Sequence, residues 1–139
     1  MIALDTSVLI AIMLDEPEAE TFKAVLRQEP SIVIGWPTLF ETRTVLAAKR
    51  FSNPGDIVAR LLGAPNITAV AFDGKHYQAA EQALERYGKG RHPAGLNMGD
   101  CFSYAVAAVA RAPLLFKGFD FGKTDLKCHP ASTRDNPTG

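Results

Sequence analysis

Four carboxylates stand where they could share one site: Asp5, Glu41, Asp100 and Asp120. Asp5 lies between two apolar runs, Ile2-Ala3-Leu4 and Val8-Leu9-Ile10. A charge in that position is costly unless it is paired. Like charges about 4 Å apart repel by about 4 kcal/mol at an effective dielectric of about 20. Four converging acids therefore need protons, basic partners or a cation. An all-oxygen set suits a hard ion, Mg²⁺ or Mn²⁺, rather than zinc. The chemistry open to such a set is hydrolysis at phosphorus. The metal activates a water and stabilises charge on phosphate oxygens, and an acid outside the ligand set orients or deprotonates that water. Each acid also has a plainer reading. Asp5 could be a buried helix cap, Asp100 a partner to a helix dipole, Glu41 a solvated helix residue and Asp120 a turn acid.

The elements that must bring these acids together are visible as apolar runs and breakers. Ile2-Ala3-Leu4 predicts a buried first strand ending at Asp5, and Val8 to Leu14 a short buried helix with a hydroxyl, Thr6 or Ser7, near its cap. Asp15-Glu16-Pro17-Glu18 reads as the start of a second helix that ends near Pro30. Residues 31–34 predict the second strand, Pro37 opens a helix toward Arg50, and Asn53-Pro54-Gly55-Asp56 starts another. Residues 67–72 predict the third strand, and Asp73 caps the helix after it. Asn97-Met98-Gly99-Asp100 opens a helix through Ala110, residues 114–116 predict the fourth strand, and Leu126-Lys127-Cys128 a short edge strand. This alternation predicts an α/β domain, a central and mainly parallel sheet flanked by helices on both sides. The domain spans residues 1–130, with a polar, frayed tail over 131–139. Ligands in such folds sit beyond the carboxyl ends of the strands, the edge all four acids could reach.

Composition bounds the function. The chain has 139 residues, enough for one domain, and 47% are hydrophobic, which excludes a disordered chain. Fifteen Lys and Arg balance fifteen Asp and Glu, which excludes a strongly basic nucleic-acid coat. Cys101 and Cys128 form no zinc-like spacing and are expected as reduced thiols. The N-terminus lacks a basic region, and the apolar run Val8–Leu14 is far short of the roughly 20 residues of a membrane span. A cytoplasmic protein with no membrane association is expected.

Taken in order, the motifs carry a family resemblance. Asp5-Thr6-Ser7 follows a strand, Glu41 lies on the second long helix, and Asn97-Met98-Gly99-Asp100-Cys101-Phe102-Ser103-Tyr104-Ala105 opens the later one. Leu114-Leu115-Phe116-Lys117-Gly118-Phe119-Asp120-Phe121 is followed by Thr124-Asp125. From Met1 to Cys128 the chain resembles the PIN-domain ribonucleases, and more narrowly the VapC toxins of bacterial toxin–antitoxin pairs. Asp5-Thr6-Ser7 alone is a weak signal; the order and spacing of the set are more specific. Phe119 departs from the small polar residue the family often has before its fourth acid. The resemblance implies a metal-dependent endoribonuclease toxin. Asp5, Glu41, Asp100 and Asp120 form its acidic pocket, Asp5, Asp100 and Asp120 hold Mg²⁺ or Mn²⁺, and Thr6, Ser7 and Asp125 orient the pocket from behind. It also implies an RNA substrate, a homodimer, and a small VapB-type antitoxin whose C-terminal segment covers the acids.

Other features invite weaker readings. Lys89 and Arg91 precede Asp100 in a Gly-rich basic loop, and Lys117 and Lys123 flank the fourth acid; these could hold RNA phosphates. Trp36, Phe40 and Phe102 could stack bases but read rather as core or dimer interface. His76 reads as structural. Gly88, Gly90 and Gly95 fit no nucleotide-binding motif. Two alternative functions remain at this point. A haloacid-dehalogenase-type phosphatase needs an acid two residues after its nucleophilic Asp, where this chain has Ser7. A non-catalytic PIN-like binding module would usually have lost an acid, and all four are present.

Overall fold

The computed structural model describes residues 1–133; positions 134–139 of the expected tail lie outside the described residues. The chain alternates strands and helices: β1 (Ile2–Leu4), α1 (Thr6–Met13), α2 (Ala19–Gln28), β2 (Ile32–Gly35), α3 (Trp36–Ala48), α4 (Pro54–Leu62), β3 (Ile67–Val70), α5 (Gly74–Tyr87), α6 (Met98–Ala110) and β4 (Leu114–Leu115), then a 3₁₀ turn over Phe121–Lys123. All four strands are parallel, in the order β3-β2-β1-β4. Ala3 pairs with Val33 on one side and Leu114 on the other.

The period-two alternation of a strand divides the core into two layers. Ile2, Leu4, Ile32, Ile34 and Leu115 pack with Val8, Phe22 and Leu39 from α1, α2 and α3. Ala3, Val33 and Leu114 face the other way, onto Ala83, Tyr87, Tyr104 and Ala107 of α5 and α6. Helices therefore cover both faces of the sheet. Among the described residues no helix is long and apolar enough to cross a membrane.

The strand order reverses at β1. The chain moves outward through β2 and β3, then returns to place β4 on the other side of β1. Such a switch point opens a crevice beyond the strand ends. Asp5 leaves β1 there, and Lys117 and Gly118 follow β4 into the same region.

The start of α2 differs from expectation. Asp15 does not cap that helix. It takes a left-handed conformation (φ 52°) that closes α1, with Asp15 N–H donating to Ile12 O at 3.2 Å and Glu16 N–H to Ala11 O at 2.9 Å. This pair of bonds is a Schellman stop, satisfying carbonyls that α1 would otherwise leave open. Helix α2 begins only at Ala19, and Glu18 makes no side-chain cap bond. The acids of this segment turn instead to Lys117, whose Nζ lies 3.2 Å from Glu16 Oε1 and 2.8 Å from Glu18 Oε2. Helix α1 is capped by Asp5 rather than by a hydroxyl.

At the far edge, Leu126–Cys128 forms a single bridge, Leu114 to Cys128, and not a strand. Residues 131–133 stay packed. Ser132 is buried, its hydroxyl accepting from Phe116 N–H at 3.1 Å and donating to Leu114 O at 3.2 Å, and Thr133 N–H donates to Phe116 O. The packed fold thus runs past the expected boundary at residue 130, through Thr133, because Ser132 and Thr133 satisfy the main chain of Phe116 just after β4. The third strand ends at Val70, two residues early, and Phe72 turns inward to meet Phe102 edge to face at 5.4 Å.

Candidate active site

Asp5, Thr6, Ser7, Glu41 and Asp100 line one open cavity of about 400 Å³, together with Ile10, Glu16, Lys117 and Gly118. Three elements deliver the three carboxylates. Asp5 ends β1, Glu41 projects from the second turn of α3, and Asp100 lies in the first turn of α6.

Each carboxylate is oriented by its own neighbours. Asp5 is buried; Oδ2 accepts from Ser7 N–H at 3.0 Å and Oδ1 from the Ser103 hydroxyl at 2.5 Å. Thr6 donates to Glu41 Oε1 at 2.8 Å. A threonine has one hydroxyl proton. Thr42 sends its own to Thr38 O at 2.8 Å, which leaves that of Thr6 for Glu41. Ser7 accepts from Lys117 N–H at 2.9 Å and so ties α1 to the loop after β4. Asp100 closes a capping box: its N–H donates to Asn97 Oδ1 at 2.8 Å, and its Oδ2 accepts from Asn97 N–H at 3.1 Å. The capping reading of Asp100 is thus true of one oxygen, and the residue also faces the cavity.

The electrostatics carry the signature of a shared site. Burial pushes the Asp100 carboxyl up to about 7, against the Asn97 N–H that pulls it down, and Asp5, Asp120 and Glu41 each add repulsion. Glu41 is also raised, first by burial and then by Asp5, with the Thr6 hydrogen bond opposing. Perturbation of this kind, in a cleft and with named charged neighbours, marks functional carboxylates more often than structural ones. Asp120 stands at the edge of the group. It is half-buried, close enough to bias Asp100, and its side chain makes no cap bond to the turn it precedes.

Four expected site residues behave differently. Asp125 does not line the cavity; it accepts from Tyr104 Oη at 2.6 Å and lies 3.5 Å from Arg86, bracing α5 against α6. Lys117 lies at the cavity with its charge engaged by Glu16 and Glu18. Lys89 and Arg91 are exposed in the loop before α6, where only backbone bonds hold them: Lys89 N–H to Leu96 O and Arg91 N–H to Gly88 O. Ser103 and Glu16 are additions that sequence reasoning missed. Ser103 was legible as the polar residue one turn after Asp100 in an otherwise apolar stretch; Glu16 carried no such signal. Phe102 is half-buried against Phe72, whereas Trp36 and Phe40 are exposed, 54% and 70%, one turn apart on α3. His76 is structural, completing the Asp73 capping box on α5.

Among the described residues no three His, Cys, Asp or Glu side chains are drawn together as an assembled metal-ligand set. The donors nonetheless fit a hard divalent cation. They are all oxygens, and burial, with their mutual repulsion as a smaller cause, raises two of them.

The sequence matches the family described as PIN domain over residues 2–127. It is 45% identical over 124 residues to a protein of Mycolicibacterium smegmatis named Ribonuclease VapC, covering 88% of this chain and 95% of that protein. It is 44% identical over 124 residues to Ribonuclease VapC30 of Mycobacterium tuberculosis, covering 88% and 94%. Among solved structures, the Mycobacterium tuberculosis toxin VapC20, described as cleaving the sarcin–ricin loop, superposes with a TM-score of 0.75 at 18% identity, over 91% of this chain and 96% of that one. The toxin–antitoxin assembly VapBC2 of Rickettsia felis, bound to promoter DNA, superposes with a TM-score of 0.65 at 18% identity over 98% of each chain. With the match running through nearly the whole sequence and every strand in its expected order, the chain belongs to the PIN-domain family, alongside the VapC ribonucleases.

Proposed function

We propose that this protein is a ribonuclease toxin that hydrolyses RNA phosphodiester bonds at the Asp5–Glu41–Asp100–Asp120 site with Mg²⁺ or Mn²⁺. The observation that carries this reading is the cavity where three elements present acids, with Asp100 raised to about 7 by burial first and by the neighbouring carboxylates second. Asp5, Asp100 and Asp120 are the residues to hold the ion. A bound divalent ion supplies the activation of water and the neutralisation of phosphate charge. Glu41, outside that set and raised by burial, is the group to take the proton of the attacking water. Ser7 and Ser103 fix Asp5, and Thr6 fixes Glu41. Arg91 and Lys89, exposed and without an ion-pair partner among the described residues, are the cations to meet flanking phosphates.

An antitoxin partner is supported by a second, apolar groove of about 790 Å³ between α1, α2 and α4, lined by Leu9, Ile12, Leu26, Val58 and Leu61. Helix α4 buries none of its residues fully, leaving an apolar face for a partner helix. The antitoxin's C-terminal segment would then reach the acids. A homodimer is supported by Trp36 and Phe40 on the exposed face of α3.

Purified, antitoxin-free protein should cut RNA with Mg²⁺ or Mn²⁺ and stop on adding EDTA. Asp5→Asn and Asp100→Asn should each abolish cutting while leaving the circular dichroism spectrum intact. Undiminished cutting by both variants would overturn the assignment.

A further inference from the structure

The Glu41 carboxylate rests on Gly99, in the first turn of α6. A Cβ at Gly99 would overlap Glu41 Oε2 and stand only 2.7 Å from Cδ and 2.9 Å from Oε1. Backbone conformation does not call for glycine here. The left-handed glycines are Gly90, Gly95 and Gly118, whereas Gly99 lies within helix α6. In a helix, glycine costs stability relative to alanine. What Gly99 supplies is therefore space, and the group that fills the space is a carboxylate of the active site.

The occupant is also held from its other side. Thr6 donates to Oε1, and Thr6 itself is buried in the first turn of α1 beside Thr38 and Thr42 of α3. The positive end of α6 favours a negative group beside its first turn. Glu41 thus sits between a hydroxyl that orients it and a backbone that makes room for it.

We propose that Gly99 is a positioning residue: the space left by its missing side chain seats the Glu41 carboxylate against the start of α6. The consequence for catalysis rests on the reading of Glu41 as part of a phosphodiester-hydrolysing site. The seat itself is a geometric property of the folded chain. An added methyl at position 99 meets the mobile end of a glutamate rather than backbone, so the helix accommodates it. The carboxylate moves away and Thr6 loses its acceptor.

Three variants test this: Gly99→Ala, Glu41→Asp, and the two combined. Gly99→Ala should melt at or above the wild-type temperature, as a helical Gly→Ala change does. Its metal-free crystal structure should show Glu41 displaced from Thr6. Its rate of RNA cleavage should fall by about 10–100-fold, as misplacing a general base does, while its Mn²⁺ affinity by calorimetry should change much less, because Glu41 lies outside the ligand set. Aspartate is one methylene shorter and withdraws from the new Cβ. Adding Glu41→Asp to Gly99→Ala should therefore recover part of the loss, although Glu41→Asp alone impairs cleavage. A metal-free structure with Glu41 unmoved would overturn the proposal, as would a double variant no better than Gly99→Ala. A wild-type protein that neither binds Mn²⁺ nor cuts RNA would overturn the functional reading, while the crystal structure of Gly99→Ala would still decide the seat.

Discussion

The hydroxyl of Ser103 donates to Asp5 Oδ1 at 2.5 Å, joining α6 to the end of β1 across 98 positions of sequence. Ser103 lies one turn after Asp100, so a single helix carries one cavity acid and the orienting group of another. Both ends of the bond are buried.

Removing that donor should cost function and stability together. Ser103→Ala leaves a buried carboxylate short of a partner, worth about 1–3 kcal/mol. It should also lower Mn²⁺ affinity by about 10–100-fold. Urea denaturation and calorimetry check the two effects, and Ser103→Thr should retain most of both.

Metal-free stability should depend on Asp100 protonation. Its carboxyl is raised from an ordinary 3.8 to about 7, so the folded state binds the proton more tightly than the unfolded chain. Stability is then greatest below about pH 4 as far as this group is concerned, and is lost as pH rises toward 7. Glu41 acts in the same direction. Asp100→Asn keeps an oxygen for Asn97 N–H and removes the charge. After allowance for solvent screening, it should stabilise the metal-free protein at pH 8 by about 1–2 kcal/mol. Denaturation at pH 5 and pH 8 with EDTA present measures this, and equal stability of the two proteins at pH 8 would contradict it. Mn²⁺ affinity should fall as pH drops below about 7, where the proton competes with the ion.

Lys117 neutralises Glu16 at the cavity wall. Lys117→Ala should leave Glu16 and Glu18 uncompensated and weaken RNA binding more than the loss of one phosphate contact would. Adding Glu16→Gln and Glu18→Gln should restore most of the affinity. Filter binding at fixed ionic strength provides the comparison, and a purely additive result would assign Lys117 directly to phosphate.

Leu61→Asp places a charge in the apolar groove beside α4. It should weaken antitoxin binding by at least about tenfold, or about 1.4 kcal/mol, and leave RNA cleavage by the free protein unchanged. Co-purification and a cleavage assay read the two arms.

Helix α6 ends on Arg111 in the left-handed region (φ 53°). Non-glycine residues pay about 1–2 kcal/mol there, partly offset by glycine's greater freedom when unfolded. Arg111→Gly should therefore raise stability by about 0.5–1 kcal/mol, seen as a higher melting temperature.

Local pattern announced what local physics decides. The four strands, the Asp73 and Asn97 caps, and Asp5 at the end of β1 all follow from short apolar runs and the residues that break them. Asp15-Glu16-Pro17-Glu18 misled because an acid before a proline can also close the previous helix, and the left-handed turn at Asp15 won. Spacing marks Ser103 as a polar residue one turn after Asp100 but not its bond to Asp5, and it is silent on the pairing of Lys117 with Glu16 and of Asp125 with Tyr104, which depend on contacts between distant segments. Asp125 carries the same chemistry as Asp120 a few positions earlier, and only packing separates a brace from a neighbour of the site.

Ser132 closes the outer side of the chain just past β4: its hydroxyl accepts from Phe116 N–H and adds a donor to Leu114 O, while the main chain of Leu114 is already paired with Lys127 and His129. Its loss would turn a closed flank into an adhesive one. A protein cut back to Pro130 would present the Phe116 N–H and C=O to any passing strand, and self-association would compete with correct folding. The segment after Pro130 is in this sense a seal on the sheet, and shortened or C-terminally fused versions of the protein should keep it through Thr133.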